Sequence, residues 1–271
     1  MTSSWQEQSV GGGRLVLHCG GEQVDREALR TLPAPTPMSA THYPIPHGEL
    51  VRRTIEQIEG LGVKLDGEAH AISHEGNRYF GLFGVAGGDG ASAADGYQLV
   101  IGLRNSHDQS YQASLALGSR VFVCDNLAFS GDVTIARKHT KNIYRDLPGL
   151  LTGAVNKIVG ERLTMEQRIA AYKAYGLDDL HAHDLIVRAV DNGVISPPKI
   201  AGVLREWRNP SHEEFEPRTA WSLFNGFTEV LKEYQVDSVW KRSQPLHGIF
   251  DATCNILPFA AAAPDPAAVD G

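Results

Sequence analysis

The chain has 271 residues, of which 42% are hydrophobic and 21% charged, and its formal net charge at pH 7 is −7. This composition excludes a collagen-like, disulfide-scaffold or fully disordered protein, and it is typical of a globular protein with a sizeable core. The acidic balance argues against a protein coated all over with nucleic-acid-binding charge, although it permits one local basic patch.

The cysteine pattern and the length of the apolar runs indicate the cellular compartment in which we expect the protein. Three cysteines, Cys19, Cys124 and Cys254, form no C-x-x-C pair, which argues against a disulfide framework and a cysteine-ligated zinc site. No apolar run approaches the roughly 18 residues of a membrane span, and the N-terminus lacks the basic and apolar segments of a signal peptide. We therefore expect a reduced, cytoplasmic protein with no membrane partner.

The first 40 residues are rich in glycine and proline. Three glycines at 11–13 and the P-A-P-T-P segment at 33–37 predict a flexible N-terminal lead over residues 1–40, with at most one edge strand around 15–17. Apolar residues at helical spacing then predict a helix from about residue 48 to residue 60, and the glycine at residue 60 marks its end.

A strand-rich segment follows over residues 63–139. Runs of β-forming residues bounded by turns predict five strands. The turns are mostly too short to hold a crossover helix, so we expect antiparallel neighbours. The glycine-rich stretch at 87–96 lacks the lysine of a phosphate-binding loop and is interpreted as a hairpin loop. The predicted strands cover residues 63–73, 78–86, 97–104, 113–125 and 132–138.

From Leu147 onwards the apolar residues recur at helical spacing. They predict a helix-rich segment over residues 147–235, in which T-M-E-Q at 164–167 has the form of a capping box. The end of the chain, residues 259–271, cannot bury enough apolar surface to stay ordered. We therefore predict a single α+β domain over residues 41–258, with a mostly antiparallel sheet in the N-terminal half and helices in the C-terminal half. The predicted helices cover 147–159, 164–175, 184–191, 196–208 and 219–234.

Polar side chains follow three of the predicted strands. The sequence R-N-S-H-D at 104–108 follows the third strand, Asp125 and Asn126 follow the fourth, and R-K-H-T-K at 137–141 follows the fifth. We expect these three strand ends to form the floor and rim of one site. A guanidinium such as that of Arg104, beside an amide and a hydroxyl, can hold a phosphate or carboxylate with directed hydrogen bonds.

His107 and Asp108 are adjacent and could supply a metal ligand or a general base. Successive strand residues point to opposite faces, so the two side chains converge only if they lie on a turn. The alternative is that Asn105, Ser106 and Asp108 cap a turn and His107 packs beneath it. His107 and, in the following basic run, His139 are weak candidates for an acid–base residue.

Basic residues are concentrated between Val133 and Arg162, where six cations and two carboxylates leave a local net charge of +4. Such charge separation suggests one surface for an anionic partner, and Tyr144, which lies among the cations, can stack on an unpaired base. The alternative is a solvated strand end beside an ordinary amphipathic helix. The predicted nucleic-acid-binding or anion-binding residues are Arg104, Asn105, Ser106, Asn126, Arg137, Lys138, Lys141 and Tyr144.

Two further patterns suggest chemistry but are better explained by structure. Cys124 ends a buried-strand sequence, V-F-V, and no base or oxyanion site accompanies it, so inert packing is the better interpretation. His181 and His183 could reach one metal ion from a loop, but no third ligand is apparent, and a helix-capping turn explains them better. We predict no metal and no cofactor.

Several of these segments together resemble a known family. L-R-N-S-H-D-Q-S, R-V-F-V-C-D-N-L-A-F, R-K-H-T and T-A-W-S-L-F-N-G-F-T-E are similar to the phage- and plasmid-borne family catalogued as domain of unknown function 932. The resemblance covers residues from about Thr41 to Tyr234. The family's usual C-x-N-G-L-like step is C-D-N-L-A here, so no glycine follows Asn126. The positions that match the family's motif are Arg104, Asn105, Ser106, His107, Asp108, Cys124, Asn126, His139, Trp221 and Asn225.

The family has no established chemistry to carry over. The resemblance implies a role in phage or plasmid DNA metabolism inside a bacterial host, because members occur on mobile elements near DNA-processing genes. The first hypothesis is a non-enzymatic protein that binds or anneals single-stranded nucleic acid and forms homo-oligomers. The lack of a recognisable nucleophile, metal set or cofactor loop favours it.

Two other hypotheses stay open. One is an enzyme that acts on a phosphate-containing or nucleic-acid substrate, with His107 or His139 as acid–base residue. It requires both histidines to converge with Arg104 and Asn126 in one cleft. The other is a protein-interaction or host-defence-modulating protein, which nothing in the sequence excludes.

Overall fold

One antiparallel sheet forms the N-terminal half of the protein. The computed structural model describes residues 21–86, 96–121, 127–129, 133–136, 141–234 and 236–256. The strands in this part of the chain are β1 (Glu22–Val24), β2 (Leu65–Ser73), β3 (Arg78–Val85), β4 (Tyr97–Ser106), β5 (Ala113–Val121), β6 (Leu127–Phe129) and β7 (Val133–Ala136). Their order in the sheet is β1-β2-β3-β4-β5, and β6 and β7 both pair with β5 along its outer side.

Helices make up the C-terminal half, and two more helices precede β2. The helices are α1 (Arg26–Thr31), α2 (His47–Gly60), α3 (Ile143–Gly160), α4 (Arg162–Ala174), α5 (Asp179–Asp191), α6 (Ile200–Arg208), α7 (Ala220–Leu231) and α8 (Val236–Thr253). The predicted α+β architecture is therefore confirmed. Among the described residues, no helix is both long enough and apolar enough to cross a membrane.

The central strands are buried on both faces, which explains their nearly continuous apolar sequences. Every residue of β4 and β5 is buried. One face, which includes Ile101 and Leu103, belongs to the main core together with α2 and α3. The other face, which includes Val100, forms a smaller cluster with Phe129 and Trp240. The sheet thus separates two apolar compartments, and side chains that alternate along β4 enter one or the other.

The predicted flexible lead is wrong for residues 22–31. β1 pairs with β2, and α1 follows immediately. The Asp25 carboxylate caps α1 by accepting a hydrogen bond from the Ala28 backbone N–H at 2.7 Å. Leu29 is buried in the main core and holds this short helix against α2. One buried leucine in six residues is too weak a periodic signal to predict a helix.

Two features of the helical half also differ from the prediction. Thr164 does not cap a helix, because only Glu161 separates α3 from α4 and α4 already begins at Arg162. α8 was not predicted at all. Its apolar residues serve two compartments, since Trp240 joins the smaller cluster whereas Phe250 joins the main core, and they therefore form no single stripe.

Candidate functional site

Two of the three predicted polar strand ends lie at the same end of the sheet. Arg104 of β4 pairs with Ser114 of β5, and the next residue of β5, Ala113, pairs with Ala136, the last residue of β7. β4 and β7 therefore finish side by side where β5 begins. We call this region, at Ser106, Ala113 and Ala136, the polar end of the sheet. The basic sequence that follows β7 starts here.

The third strand end is elsewhere, so the prediction that all three meet is wrong. β5 runs antiparallel to β4, and its last residue, Val121, pairs with Tyr97 at the start of β4. Ser114 and Val121 are separated by about 24 Å at the usual rise of an antiparallel strand. The segment that leads to Asn126 therefore leaves from the opposite end of the sheet. The candidate residues that lie outside the described residues are Cys124, Asn126, Arg137, Lys138 and His139.

Asn105 and His107 bind a buried backbone carbonyl rather than solvent. The Asn105 Nδ2 group donates to the Ile45 carbonyl at 2.8 Å and to His47 Nδ1 at 3.0 Å. His107 Nε2 donates to the same carbonyl at 2.9 Å. We call these four residues the Ile45 clamp. It joins the end of β4 to the T-H-Y-P-I-P-H segment that precedes α2.

The hydrogen bonds of the clamp define the protonation of both imidazoles. His47 Nε2 donates to the Gly76 carbonyl at 3.0 Å, so His47 Nδ1 is the acceptor for Asn105. His107 likewise carries its proton on Nε2, because a carbonyl can only accept. The two rings stack in parallel, with centroids 3.7 Å apart and planes inclined by 7°. Both are buried neutral rings that pack as a unit.

Burial lowers the pKa of His107, and nearby His42 lowers it further, against the opposing effects of the Ile45 hydrogen bond and Asp108. A neutral His107 is thus favoured at physiological pH. Asp108 does not hydrogen-bond to it. Instead, Asp108 accepts from Arg78 Nε at 2.8 Å and from the Ser110 backbone N–H at 3.0 Å. Although burial opposes its charged form, the hydrogen bonds from Ser110 and Arg78 lower the pKa of Asp108. The turn interpretation holds for Asp108 and Ser106, which accept from the backbone N–H groups of Ser110 and Tyr111, but not for Asn105, which lies in β4. The side chains of His107 and Asp108 form no catalytic dyad.

Arg104 and Ser106 point to the other face of the sheet. Arg104 Nε donates to Ser114 Oγ at 3.1 Å, and its guanidinium lies 4.8 Å from the Trp240 ring centroid and 5.4 Å from that of Tyr111. Ser106 Oγ donates to the Tyr111 carbonyl at 2.8 Å. These side chains are buried supports, and they do not form the open rim that the sequence suggested.

The enzyme hypothesis required Arg104 and His107 to converge in one cleft. That prediction is wrong, because the sheet lies between them: Arg104 packs on Trp240 in the smaller cluster, whereas His107 binds Ile45 on the face of the main core. The physical reason is that β4 continues as a regular strand through Ser106, which preserves the alternation of faces.

The exposed part of the polar end lies at the start of α3, on its first turn and on the two residues before it. Lys141 is exposed, and the Tyr144 side chain is 44% exposed while its hydroxyl donates to the Pro44 carbonyl at 2.9 Å. Arg145 is also exposed and pairs with Asp146. Because Pro44 precedes Ile45, this hydrogen bond fixes the start of α3 directly to the Ile45 clamp. Of the other described candidates, Asn105 supports this surface from beneath through Ile45, whereas Arg104 and Ser106 lie on the opposite face of the sheet.

Sequence reasoning missed the partner of the R-N-S-H-D motif. The T-H-Y-P-I-P-H segment supplies backbone carbonyls, at Pro44 and Ile45, that accept from Tyr144, Asn105 and His107. The two X-Pro steps in this segment favour an extended chain, whose carbonyls are left open to such donors. This restriction on the backbone was the one signal available in the sequence, because a backbone carbonyl can accept a hydrogen bond whatever side chain its residue carries.

The two histidines at 181 and 183 lie on a helix. Asp178 caps α5, and it accepts from the His181 backbone N–H at 2.8 Å and from His181 Nδ1 at 2.7 Å. An aspartate does cap the helix, but it is Asp178, and the helix starts five residues earlier than predicted, at Asp179, so that both histidines lie within it. In the part of the chain that the structure describes, no group of three or more potential metal ligands is present.

A second buried polar cluster lies between α4 and α8. Arg168 binds Asp251 through two hydrogen bonds of 2.8 and 2.9 Å, and the Tyr172 hydroxyl donates to the same carboxylate at 2.6 Å. His247 packs beside them against Phe224, with ring centroids 4.8 Å apart. Burial and the nearby Arg168 charge hold the pKa of His247 well below its ordinary value of 6.5.

This histidine should make the protein less stable in mild acid. The folded protein keeps His247 neutral, whereas the unfolded chain takes up a proton as the pH falls below 6.5, so acid favours unfolding. We expect the free energy of unfolding to drop by about 1.4 kcal/mol from this residue between about pH 7.5 and about pH 5.5. Urea titrations of the wild type and of His247→Gln at both pH values measure the difference. Equal pH dependence in the two proteins would contradict the prediction that His247 causes this loss of stability.

Comparison with known proteins identifies the family but no characterised relative. No curated protein and no solved structure matches the chain. The family described as "Domain of unknown function (DUF932)" matches residues 38–246, a range that includes the Ile45 clamp, the whole sheet from β2 onwards and the helices from α2 to α7. The match covers most of the chain and confirms the resemblance, so the protein belongs to the DUF932 family.

Proposed function

We propose that this protein binds single-stranded DNA at the polar end of the sheet, as a nucleic-acid-binding protein of a phage or plasmid in the bacterial cytoplasm. The observation that carries the proposal is the exposed Tyr144 ring on the first turn of α3, with exposed Lys141 just before the helix and exposed Arg145 next to Tyr144 in the chain. An aromatic face flanked by cations can stack on an unpaired base while the cations contact the adjoining phosphates.

The surface is held rigidly, which favours binding over a merely solvated helix start. The Tyr144 hydroxyl is fixed on Pro44, and the next residue, Ile45, is held by Asn105 and His107. A stacking side chain that is already ordered loses less conformational entropy when a base binds. The sequence predicted that Asn105 itself binds the nucleic acid. We propose instead that Asn105, as a buried member of the clamp, holds the binding surface in place.

The charge distribution along the sequence supports a basic surface along α3, whose first turn carries the exposed Tyr144. The whole chain carries −7, yet the stretch between residues 133 and 162 carries +4. An acidic protein with one basic surface attracts a polyanion to that surface and repels it elsewhere. The family's occurrence on mobile elements supports the same function by association only.

Replacing Tyr144 with leucine should weaken binding of a fluorescein-labelled thymidine oligonucleotide about 5-fold to 100-fold, because one base loses its stacking partner. Lys141→Gln and Arg145→Gln should each reduce the slope of log K against log salt by about 0.7. Fluorescence anisotropy at several KCl concentrations measures both effects.

Arg205→Gln is the matched control for Arg145→Gln. Both arginine side chains are highly exposed, at 74% for Arg145 and 72% for Arg205, and each lies beside the carboxylate of the following residue. Arg205 is on α6, in a separate part of the helical half. Equal losses of affinity in the two variants would show that only net charge matters and would reject the polar end as the site.

Annealing of two strands requires more than one binding surface, and we propose that homo-oligomers supply it. Sedimentation velocity with and without the oligonucleotide tests this part separately. If the protein binds DNA as a monomer, the proposed binding function is retained and annealing by a homo-oligomer is rejected.

A further inference from the structure

The outer side of α5 exposes apolar and acidic residues in alternation. Leu180 is 76% exposed and Val187 is 55% exposed. Because they are seven residues apart, they lie on one side of the helix, about 10.5 Å apart along its axis. Asp184 and Asp191 are also exposed and lie on the same side with the same separation. We call these four residues the α5 face.

The two carboxylates of the α5 face are available to a cation from another molecule. Among the described residues, neither has an ion-pair partner. The other aspartates of the same segment, Asp178 and Asp179, are paired with His181 and Arg218. An exposed helix side with two apolar side chains and two unpaired carboxylates is suited to a partner surface that is apolar and basic.

The outer side of α3 has these properties. Leu150 is 40% exposed, and Lys157, seven residues later, is exposed on the same side of the helix. Gly153 lies between them along the axis, and the space that its missing side chain would occupy is open. We call these three residues the α3 face. Its apolar side chain and its cation have the same separation as the paired residues of the α5 face.

The two faces are complementary to each other but not to themselves. Two α5 faces in contact would bring four aspartates together, and two α3 faces would bring two lysines together, and like charges in a contact are unfavourable. Both faces are exposed, so they do not cover each other within one chain. A contact between them therefore joins two copies of the protein.

We infer that the α5 face of one copy binds the α3 face of the next. The two apolar side chains of the α5 face pack on Leu150 and over Gly153, and Lys157 pairs with one of its aspartates. A contact between two different surfaces is head-to-tail, so it continues into a ring or a filament. The inference rests on the proposed function, because it supplies the interface of the proposed homo-oligomer. Leu150 lies about 9 Å beyond Tyr144 along α3, so the contact leaves the tyrosine open to DNA.

Sedimentation velocity of the full chain without DNA tests the contact. The wild type should sediment faster as its concentration rises. Lys157→Glu should weaken this association at least about tenfold, because a like charge replaces an opposite one in the contact. Lys241→Glu is the matched control, since Lys241 is also an exposed lysine on a helix, α8, and the change in net charge is the same. Equal losses in the two variants would overturn the inference.

Mixing two variants tests the head-to-tail arrangement. The double variant Leu180→Gln with Val187→Gln removes the apolar part of the α5 face but keeps the α3 face, and Lys157→Glu does the reverse. Each variant alone should stay monomeric. An equimolar mixture should form a dimer and nothing larger, because one intact α5 face then meets one intact α3 face. A mixture that stays monomeric, or variants that associate as the wild type does, would overturn the arrangement.

The outcomes separate this inference from the proposed function. A wild type that stays monomeric at every concentration but binds the thymidine oligonucleotide would overturn the contact, leave both faces to a different protein and retain DNA binding. Association through the two faces without oligonucleotide binding would overturn the proposed function and leave the contact. A monomer that does not bind the oligonucleotide would overturn both.

Discussion

Asn105→Asp should destabilise the protein by about 4 kcal/mol near neutral pH, because it places an uncompensated charge in the Ile45 clamp. The wild-type amide donates to the Ile45 carbonyl and to His47 Nδ1, and Asn105 is fully buried. A carboxylate of the same shape offers these two acceptors no proton. Denaturant unfolding followed by circular dichroism measures the loss.

The pH dependence of this variant identifies the cause. Burial raises the pKa of a carboxyl group, so the new group is protonated more readily in the folded than in the unfolded state. Its stability is therefore highest in acid and is lost as the pH rises through the folded-state value. The deficit relative to the wild type should be larger at about pH 7.5 than at about pH 5.5. A deficit that does not change with pH would contradict a buried charge.

Asn192→Asp is the matched control. The Asn192 amide also donates to a backbone carbonyl, that of Arg188, at 2.8 Å, but it lies exposed at the end of α5. Solvent stabilises the new carboxylate there, so we expect a change below about 1 kcal/mol. A similar loss in both variants would mean that the substitution acts through general charge rather than through the clamp.

Gly118→Ala should cost about 3 kcal/mol, at the upper end of overpacking effects. A methyl group on Gly118 would lie 2.5 Å from the Ala128 carbonyl oxygen and 2.8 Å from the Phe129 ring. The oxygen belongs to β6, which is paired with β5 at this position, so it can give way only if the two strands separate. The thermal midpoint should fall by about 6 to 12 °C for a chain of this size.

Replacing Gly153 with alanine should instead stabilise the protein. Gly153 lies exposed on α3, and an added methyl group would meet nothing within 4 Å. Alanine restricts the unfolded chain and favours the helix, so we expect a gain of about 0.5 to 1 kcal/mol. Differential scanning calorimetry of both variants compares them directly. A Gly118→Ala protein as stable as the wild type would show that β6 does not pack closely on β5.

The fold was predictable because local patterns decide it. The long apolar runs of β4 and β5, with short connections, are sufficient to predict an antiparallel sheet. The helices after Leu147 show a clear period, and α7 and α5 were both found from it. α8 was missed because Trp240 and Phe250 enter different compartments, a tertiary fact that no periodic pattern records.

The sequence predicted a concentration of polar residues at the end of β4 but not the orientation of their side chains. The polar sequence after an apolar run suggested an exposed rim at Arg104 and Asn105. In the structure the ladder continues, because Arg78 pairs with Ser106 and the His107 backbone N–H donates to the Asn77 carbonyl at 2.8 Å. The polar side chains are therefore carried inward on both faces. The Ile45 carbonyl that Asn105 and His107 bind and the Trp240 ring on which Arg104 packs lie far away in sequence, so short-range patterns cannot reveal them.

The sequence alone also could not show which strand ends lie together, because that depends on the order of the strands in the sheet. β4 and β7 point in the same direction because each is antiparallel to β5, which places their ends together and the end of β5 opposite. The sequence shows three polar strand ends of equal appearance. Only the register, with Ala113 opposite Ala136 and Val121 opposite Tyr97, distinguishes the two that meet from the one that does not.

The most direct test of the central claim is the salt dependence of single-stranded DNA binding by the wild-type protein. We predict that a thymidine oligonucleotide binds at about 50 mM KCl, and that its affinity falls at least about tenfold by about 200 mM as several cations release their phosphate contacts. Tyr144→Leu should weaken binding under both conditions, because stacking does not depend on the counterions. No binding at the lower salt concentration, or an affinity that neither salt nor Tyr144→Leu changes, would contradict the proposed function.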